Sequence, residues 1–440
     1  VIVEFSRLRK FTALAGVASL ALVAAGCSGG GDKAASADNP VTLTVTTFGT
    51  FGYEDLYAEY EKQNPGVTIE ATNIDRGSNA RTDAFTKLAA GSGLSDVTAI
   101  EEGWLGSIME VSDQFVDLKE YGAEDIKGNW VDWKFKQGTD PNGRVIGYGT
   151  DIGPQALCFN GKLFEAAGLP SDREKVAELF GGKNATWDKY FELGRQYKAA
   201  TGKAWYDQSG FVWNSMVNQM TEGYYTKDGK LNVEGNKEMR AKFDMLAAGT
   251  ADGLSSNQTQ FDWGNGKAFV DGSFAVHVCP AWMLGTIKGQ LESAGGGAAS
   301  GWDVADVFPG GASNWGGAFL SVPKSSKHPA EAAKLAAWLT APEQQIKQSA
   351  AANNFPSTLE AQAKIVEAAK PNELFNNAPY GAIFESRAEG VIAQFKGPDD
   401  SVIQENVFGP ALKMLDSGKG NADQAWNEAV KLLNDLVVNN

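Results

Sequence analysis

The chain has 440 residues, 43% of them hydrophobic and 21% charged, the balance of a water-soluble globular protein. That length exceeds one core at ~100–200 residues per domain, so two domains are expected. A net charge of −15 repels nucleic acid and anionic lipid, which argues against both as ligands and says little about a neutral one.

At the start of the chain Arg7, Arg9 and Lys10 form a basic head, and Phe11 to Ala25 is apolar or small apart from Thr12 and Ser19. Ala24, Ala25, Gly26 and Cys27 follow, then Ser28 and three glycines. This is the pattern of a secretory signal that ends on a cysteine, and it is too short for a comfortable bilayer span of about 20 apolar residues. It resembles a bacterial lipoprotein signal, although Ala24 stands where that signal usually has Leu. The resemblance implies cleavage before Cys27 and lipidation of Cys27, with the protein held at the extracellular face of the cell membrane. Residues 1–26 are therefore expected to be a signal peptide. Residues 27–40, rich in Gly, Ser, Ala and Asp, are expected to be a flexible linker.

Order is predicted to begin at Val41–Thr47, an alternating β-branched run that reads as a strand. Tyr53–Gln63 carries Leu56, Tyr57 and Tyr60 at helical spacing and stops at Asn64, Pro65 and Gly66. Val67–Ala71 is a second strand, Asn79–Ala90 a helix ended by Gly91, and Asp96–Ile100 a third strand. Strand and helix alternating at this pace predict a parallel α/β sheet. The pattern restarts after residue 150, with a strand at Ala156–Phe159, a helix from Lys162, and Thr186 as a helix cap. Phe269–Val278 reads as a strand interrupted at Asp271 and Gly272. Trp302–Phe308 and Gly317–Val322 read as strands, and Pro329–Leu339 as a helix opened by proline. The C-terminal third is mostly helical.

Three cysteines and two histidines limit the chemistry. With Cys27 acylated, Cys158 and Cys279 remain, either bonded to each other outside the cell or as two buried thiols. His277 and His328 are too few for a zinc site and leave little for a histidine-assisted nucleophile. There is no Gly-x-x-x-x-Gly-Lys phosphate loop and no Ca²⁺-loop pattern, so neither a cofactor nor a metal is expected.

Four stretches carry a family resemblance: residues 60–67 (YEKQNPGV), 90–97 (AGSGLSDV), 264–282 (GNGKAFVDGSFAVHVCPAW) and 314–339. In that order and spacing the chain resembles the extracellular solute-binding proteins of ABC sugar importers, the group that includes maltose-binding protein, and within it the cello-oligosaccharide-binding lipoproteins. The resemblance implies a two-lobed α/β periplasmic-binding-protein fold of type II-like topology, each lobe a mainly parallel sheet flanked by helices. It implies a ligand cleft between the lobes and more than one crossing of the chain. Lobe one is expected at 41–149 plus 306–352 and lobe two at 150–305 plus 353–440, with a glycine-rich hinge at 147–153. The implied partners are an oligosaccharide, of the cellobiose or cellotriose class, and the permease subunits of an ABC importer. The receptor would be a monomer that meets the membrane only through its lipid, without enzymatic activity.

The 12 tryptophans suit such a ligand. An indole face stacks on the C–H face of a pyranose, while carboxylates and amides bond its hydroxyl rim. Ligands of α/β sheets lie beyond the carboxyl ends of the strands, which singles out Glu101, Glu102 and Trp104 after the third strand and Thr50 and Phe51 after the first. Asp151 lies in the hinge, Trp282 ends a strand, and Asn314 and Trp315 precede two glycines that permit close approach to backbone. Trp213, Trp263 and Arg387 complete the candidates. Each has a plain structural alternative: packing for the aromatics, a turn for Asp151, an exposed helix face for Arg387. An extracellular glycoside hydrolase would also use tryptophans and carboxylates, but no pair of carboxyls stands out at the separation it requires. A peptide or amino-acid receptor would need charged clamps in place of the tryptophans.

Overall fold

The computed structural model describes residues 35–36, 39–368, 370–392 and 394–439. Cys27, the signal expected at 1–26 and most of the expected linker lie outside these residues.

Two sheets organise the described chain. The first has strand order β2-β1-β3-β10-β4, with β1 at Val41–Phe48, β2 at Val67–Ile74, β3 at Val97–Glu101, β4 at Tyr148–Gly149 and β10 at Ala318–Ser321. In β1 the alternation of residue types becomes an alternation of faces: Leu43 and Val45 are sealed in the core while Thr42 faces solvent. Helices Glu54–Gln63 and Gly77–Ala90 join β1, β2 and β3, which pair in parallel. The first helix stops where Asn64 turns its side-chain amide back to the Tyr60 carbonyl at 2.9 Å. The second stops at Gly91, whose φ of 67° favours glycine. Helix Pro329–Leu339 covers this sheet and contributes Leu335 and Leu339 to its core.

The second sheet has the order β7-β8-β6-β9, with β6 at Gln155–Asn160, β7 at Ala204–Tyr206, β8 at Phe274–Pro280 and β9 at Trp302–Ala305. Its strand sense corrects the expectation of a mainly parallel sheet: β6 is antiparallel to both β8 and β9, and only β7 and β8 are parallel. The neighbours of β6 return from far along the chain, so no helical crossover between consecutive strands sets their direction. A second correction concerns the expected strand from Phe269. Residues Lys267–Val270 form a helical turn, and β8 starts only after Gly272, at φ 68°. Cys158 and Cys279 are disulfide-bonded, with Cα atoms 5.6 Å apart. Register explains why they meet: Cys158 lies opposite His277, so Cys279 is its diagonal neighbour on the same face. The C-terminal helices add Phe384, Phe408 and Trp426 to the core of this second lobe.

Three segments link the sheets, and they run side by side. β5 (Asp151–Ile152) pairs antiparallel with β11 (Phe355–Pro356). On its other flank Pro154 bridges to Asn314, the Gln155 N–H donates to the Ser313 carbonyl at 3.0 Å, and the Trp315 N–H donates to the Gly153 carbonyl at 2.8 Å. The narrow joint between the lobes is thus a small ladder of crossing strands. Among the described residues no helix is long and apolar enough to cross a membrane.

Candidate functional site

The ladder carries the return segment 314–317 past the end of β3, and this is where polar groups converge. The Glu102 N–H donates to the Gly317 carbonyl at 2.9 Å. Its carboxylate accepts from the Gly316 N–H at 3.1 Å and from the Gln137 amide at 3.3 Å. The Asp151 carboxylate accepts from the Ala318 N–H at 2.9 Å and the Thr150 hydroxyl at 2.5 Å. Asn314 accepts from the Gly153 N–H at 2.8 Å and donates to the Gly316 carbonyl at 3.0 Å. The close approach depends on Gly317, at φ 92°. A Cβ there would lie 2.4 Å from the Asp151 carbonyl oxygen and 2.9 Å from Lys134 Nζ.

Two tryptophans flank this polar junction. The Trp282 indole N–H donates to the Trp315 carbonyl at 2.8 Å, and the two rings meet edge to face at 5.9 Å and 86°. Trp282 is half-buried and Trp315 nearly buried. Behind Trp315 stands Phe211, at 5.1 Å, itself stacked on Trp263 at 5.7 Å. The arrangement offers aromatic surface next to fixed acceptors, the combination that grips a molecule with one apolar face and a polar rim.

The charges here are poorly hydrated. Burial first, and then the neighbouring Glu102, raise the Glu101 pKa to about 7 against the opposing Gly103 N–H. Burial also raises Asp151, opposed by Lys134 and by the hydrogen bonds from Thr150 and Ala318. Lys134 is fully buried, its ammonium 3.8 Å from the centre of the Phe319 ring and without a hydrogen-bond acceptor. Burial outweighs the opposing pull of Asp151, Glu102 and Glu101 and leaves its pKa lowered to about 8. From the second lobe, residues 396–405 close over this region. Arg81 pairs with Glu405 at 3.0 Å, the Ser107 hydroxyl donates to the Pro398 carbonyl, and a Cβ at Gly106 would lie 2.1 Å from the Gly397 carbonyl oxygen.

The structure therefore brings together Glu101, Glu102, Asp151, Trp282, Asn314 and Trp315. It places the other candidates elsewhere. Trp213 is a core residue: its indole is sealed, donates to the Tyr224 hydroxyl at 3.0 Å and packs on Phe408 at 4.7 Å. Trp104 is buried edge-on to Phe85 in the first lobe. Trp263 is sealed as well, its indole donating to Asp207 at 2.9 Å, so it supports Phe211 from behind. Thr50 is exposed, while Phe51 is buried against Phe48 and Tyr53. Arg387 is not on an exposed helix face; it is nearly buried, donating to the Gln155 carbonyl at 3.2 Å with Asp306 at 3.8 Å. Sequence reasoning missed Lys134, Phe211 and the 396–405 segment. None of them left a local signal: Lys134 is simply one of two lysines in a short aromatic helix. Among the described residues no group of three or more His, Cys, Asp or Glu side chains is placed to hold a metal ion.

Comparison with known proteins adds an independent line. Residues 55–376 match the family described as bacterial extracellular solute-binding protein. An arabinooligosaccharide-binding protein of Bacillus subtilis (strain 168) is 25% identical over 330 residues, 70% of this chain and 71% of that one. A crystal structure of an extracellular solute-binding protein family 1 is 44% identical, with a TM-score of 0.81 over 90% of this chain and 99% of that one. The ABC transporter associated binding protein from B. animalis subsp. lactis Bl-04, solved with beta-1,6-galactobiose, is 20% identical with a TM-score of 0.74, covering 90% of this chain and 97% of that one. The last likeness concerns the two-lobed fold alone.

Proposed function

This chain belongs to the bacterial extracellular solute-binding proteins, and from that premise we propose that it is the receptor of an ABC sugar importer, binding a neutral oligosaccharide between its lobes. The observation that carries this reading is the junction itself: Trp282 and Trp315 set at right angles beside Glu102, Asp151 and Asn314. Indole faces stack on the sugar ring, and the fixed carboxylates and amide take its hydroxyls. The lobes are proposed at 41–149 plus 306–352 and 150–305 plus 353–440, swinging on the ladder of crossing strands. Ligand favours the closed arrangement only by as much as it prefers it. The closed pair of lobes is then presented to the permease. Cys27 carries the lipid that holds the receptor outside the membrane.

The named relatives bind different sugars, so the series is proposed on the sequence resemblance alone: cello-oligosaccharides first, another plant-derived oligosaccharide second. A thermal-shift screen of cello-, arabino- and galacto-oligosaccharides tests it. A sugar at 100 times its Kd adds about 2.7 kcal/mol of stability, a clear upward shift in Tm. Trp282→Ala and Trp315→Ala are expected to remove that shift while still unfolding cooperatively. Unchanged response in both variants would overturn the site; no response of the parent protein to any saccharide would overturn the receptor reading.

A further inference from the structure

Phe261 stands out among the side chains that the junction does not use. It is 40% exposed, at the tip of a loop in which Asn257, Phe261, Trp263 and Asn265 all have left-handed backbone, with φ of 52°, 61°, 42° and 54°. Asparagine tolerates that region; a bulky aromatic does not, and such residues persist where surrounding contacts over-determine them. For Trp263 those contacts are plain. Its indole donates to Asp207, its face stacks on Phe211, and Phe269 and His277 pack edge-on at 5.3 and 5.8 Å. Phe261 has no such enclosure. Its ring touches the aromatic group from outside: Phe211 at 5.6 Å, Trp263 at 5.7 Å and Trp282 at 6.4 Å, the last with planes only 30° apart.

An exposed phenyl ring on an unfavourable backbone is doubly costly, in hydration and in conformation. Glycine or asparagine would relieve both costs at this position. The ring nonetheless continues an aromatic strip from Trp315 through Trp282 to solvent. We infer that Phe261 is a chain-length determinant, stacking on a sugar unit beyond those held at Trp282 and Trp315 and so favouring tri- and longer oligosaccharides over disaccharides. This rests on the receptor reading above. A ligand that engages Glu102, Asp151 and Trp315 and extends over Trp282 meets the Phe261 ring next, 6.4 Å from that indole. A free monosaccharide or disaccharide leaves the phenyl ring in water. The rigid base formed by Trp263, Phe211 and Asp207 holds the loop ready, so stacking demands no reordering of the protein.

The test is isothermal titration of the parent protein, Phe261→Ala and Phe261→Asn with di-, tri- and tetrasaccharides of whichever series stabilises the parent. Both variants are expected to lose about tenfold in affinity for tri- and tetrasaccharide and to stay within about twofold for disaccharide. Phe261→Asn, being compatible with the left-handed backbone, is expected to keep or raise Tm. Equal losses for every chain length would mean that the loop only shapes the site and would overturn the inference. Unchanged affinities throughout would overturn it too. Both results leave the receptor reading standing, whereas a parent protein that binds no saccharide ends both.

Discussion

Lys134 is the residue on which the electrostatics of the junction turn. An ammonium sealed from water without an acceptor is expensive; here it is offset by the Phe319 ring and by the field of Asp151, Glu102 and Glu101. Lys134→Met would remove a poorly hydrated charge but strand those carboxylates without a cation. The expected result is a loss of about 1–3 kcal/mol at pH 7.5. The loss should shrink at pH 5.5, where Glu101, raised to about 7, has taken a proton. Urea unfolding at the two pH values checks this, and an equal loss at both would mean that the lysine acts through packing alone. The position was illegible beforehand because nothing local distinguishes a buried lysine from a solvated one. Asp151 was legible from the glycine-rich hinge, Trp282 from the strand end before it, and Asn314 and Trp315 from the glycines of the return segment. Trp213 and Trp104 were misplaced for the converse reason: an indole looks the same in sequence whether Phe408 or a ligand covers it.

At the scale of elements, the crossing strands are locked by one side chain. Gln345, on helix Pro342–Ala352, is sealed. It donates to the Gly149 and Thr340 carbonyls and the Ser357 hydroxyl, each at 3.0 Å. It accepts from the Ser357 and Thr358 N–H groups at 2.8 and 3.0 Å. Gly149 ends the first lobe's edge strand and Ser357 follows β11, so one amide ties two of the three crossings together. Gln345→Leu would leave two buried backbone N–H groups unpaired at about 1–3 kcal/mol each, a midpoint shift readable by urea denaturation. A midpoint within error of the parent would show that the ladder holds without it. The elements of the first lobe were legible because β1 to β3 alternate locally and their helices carry their own stops at Asn64 and Gly91. The antiparallel sense of the second sheet was not, since β6 finds β8 and β9 only after long helical excursions, and tertiary closure decides their direction.

For the whole molecule, the question is what closing the lobes does to protonation. Glu101 belongs to the first lobe, but the groups around it come from both. Glu102 and the Gly103 N–H are its own neighbours, while Glu405 raises it and Lys396 lowers it from the second lobe. Across the same interface Arg81 pairs with Glu405, and Asp400, raised to about 6 by burial, faces Lys396, Glu102 and Asp399. Opening the lobes would return Glu101 toward the ordinary value of about 4.3. Its pKa is raised in the closed form, so the closed form holds a proton that the open form has released between about 4.3 and 7. The stabilisation of closure is therefore complete below that window and lost as pH rises through 7. If ligand capture requires closure, binding takes up a proton inside that window, and Kd is expected to rise between about pH 4.3 and 7 by up to about tenfold per pH unit and to level off above it. Titrations in two buffers of different ionisation enthalpy, at about pH 5 to 8, measure that uptake directly and should show it vanish above about 7. Glu101→Gln should flatten the profile, since its neutral amide mimics the protonated acid. A parent protein whose affinity is constant across this range would mean that Glu101 keeps the same surroundings whether the lobes are apart or together.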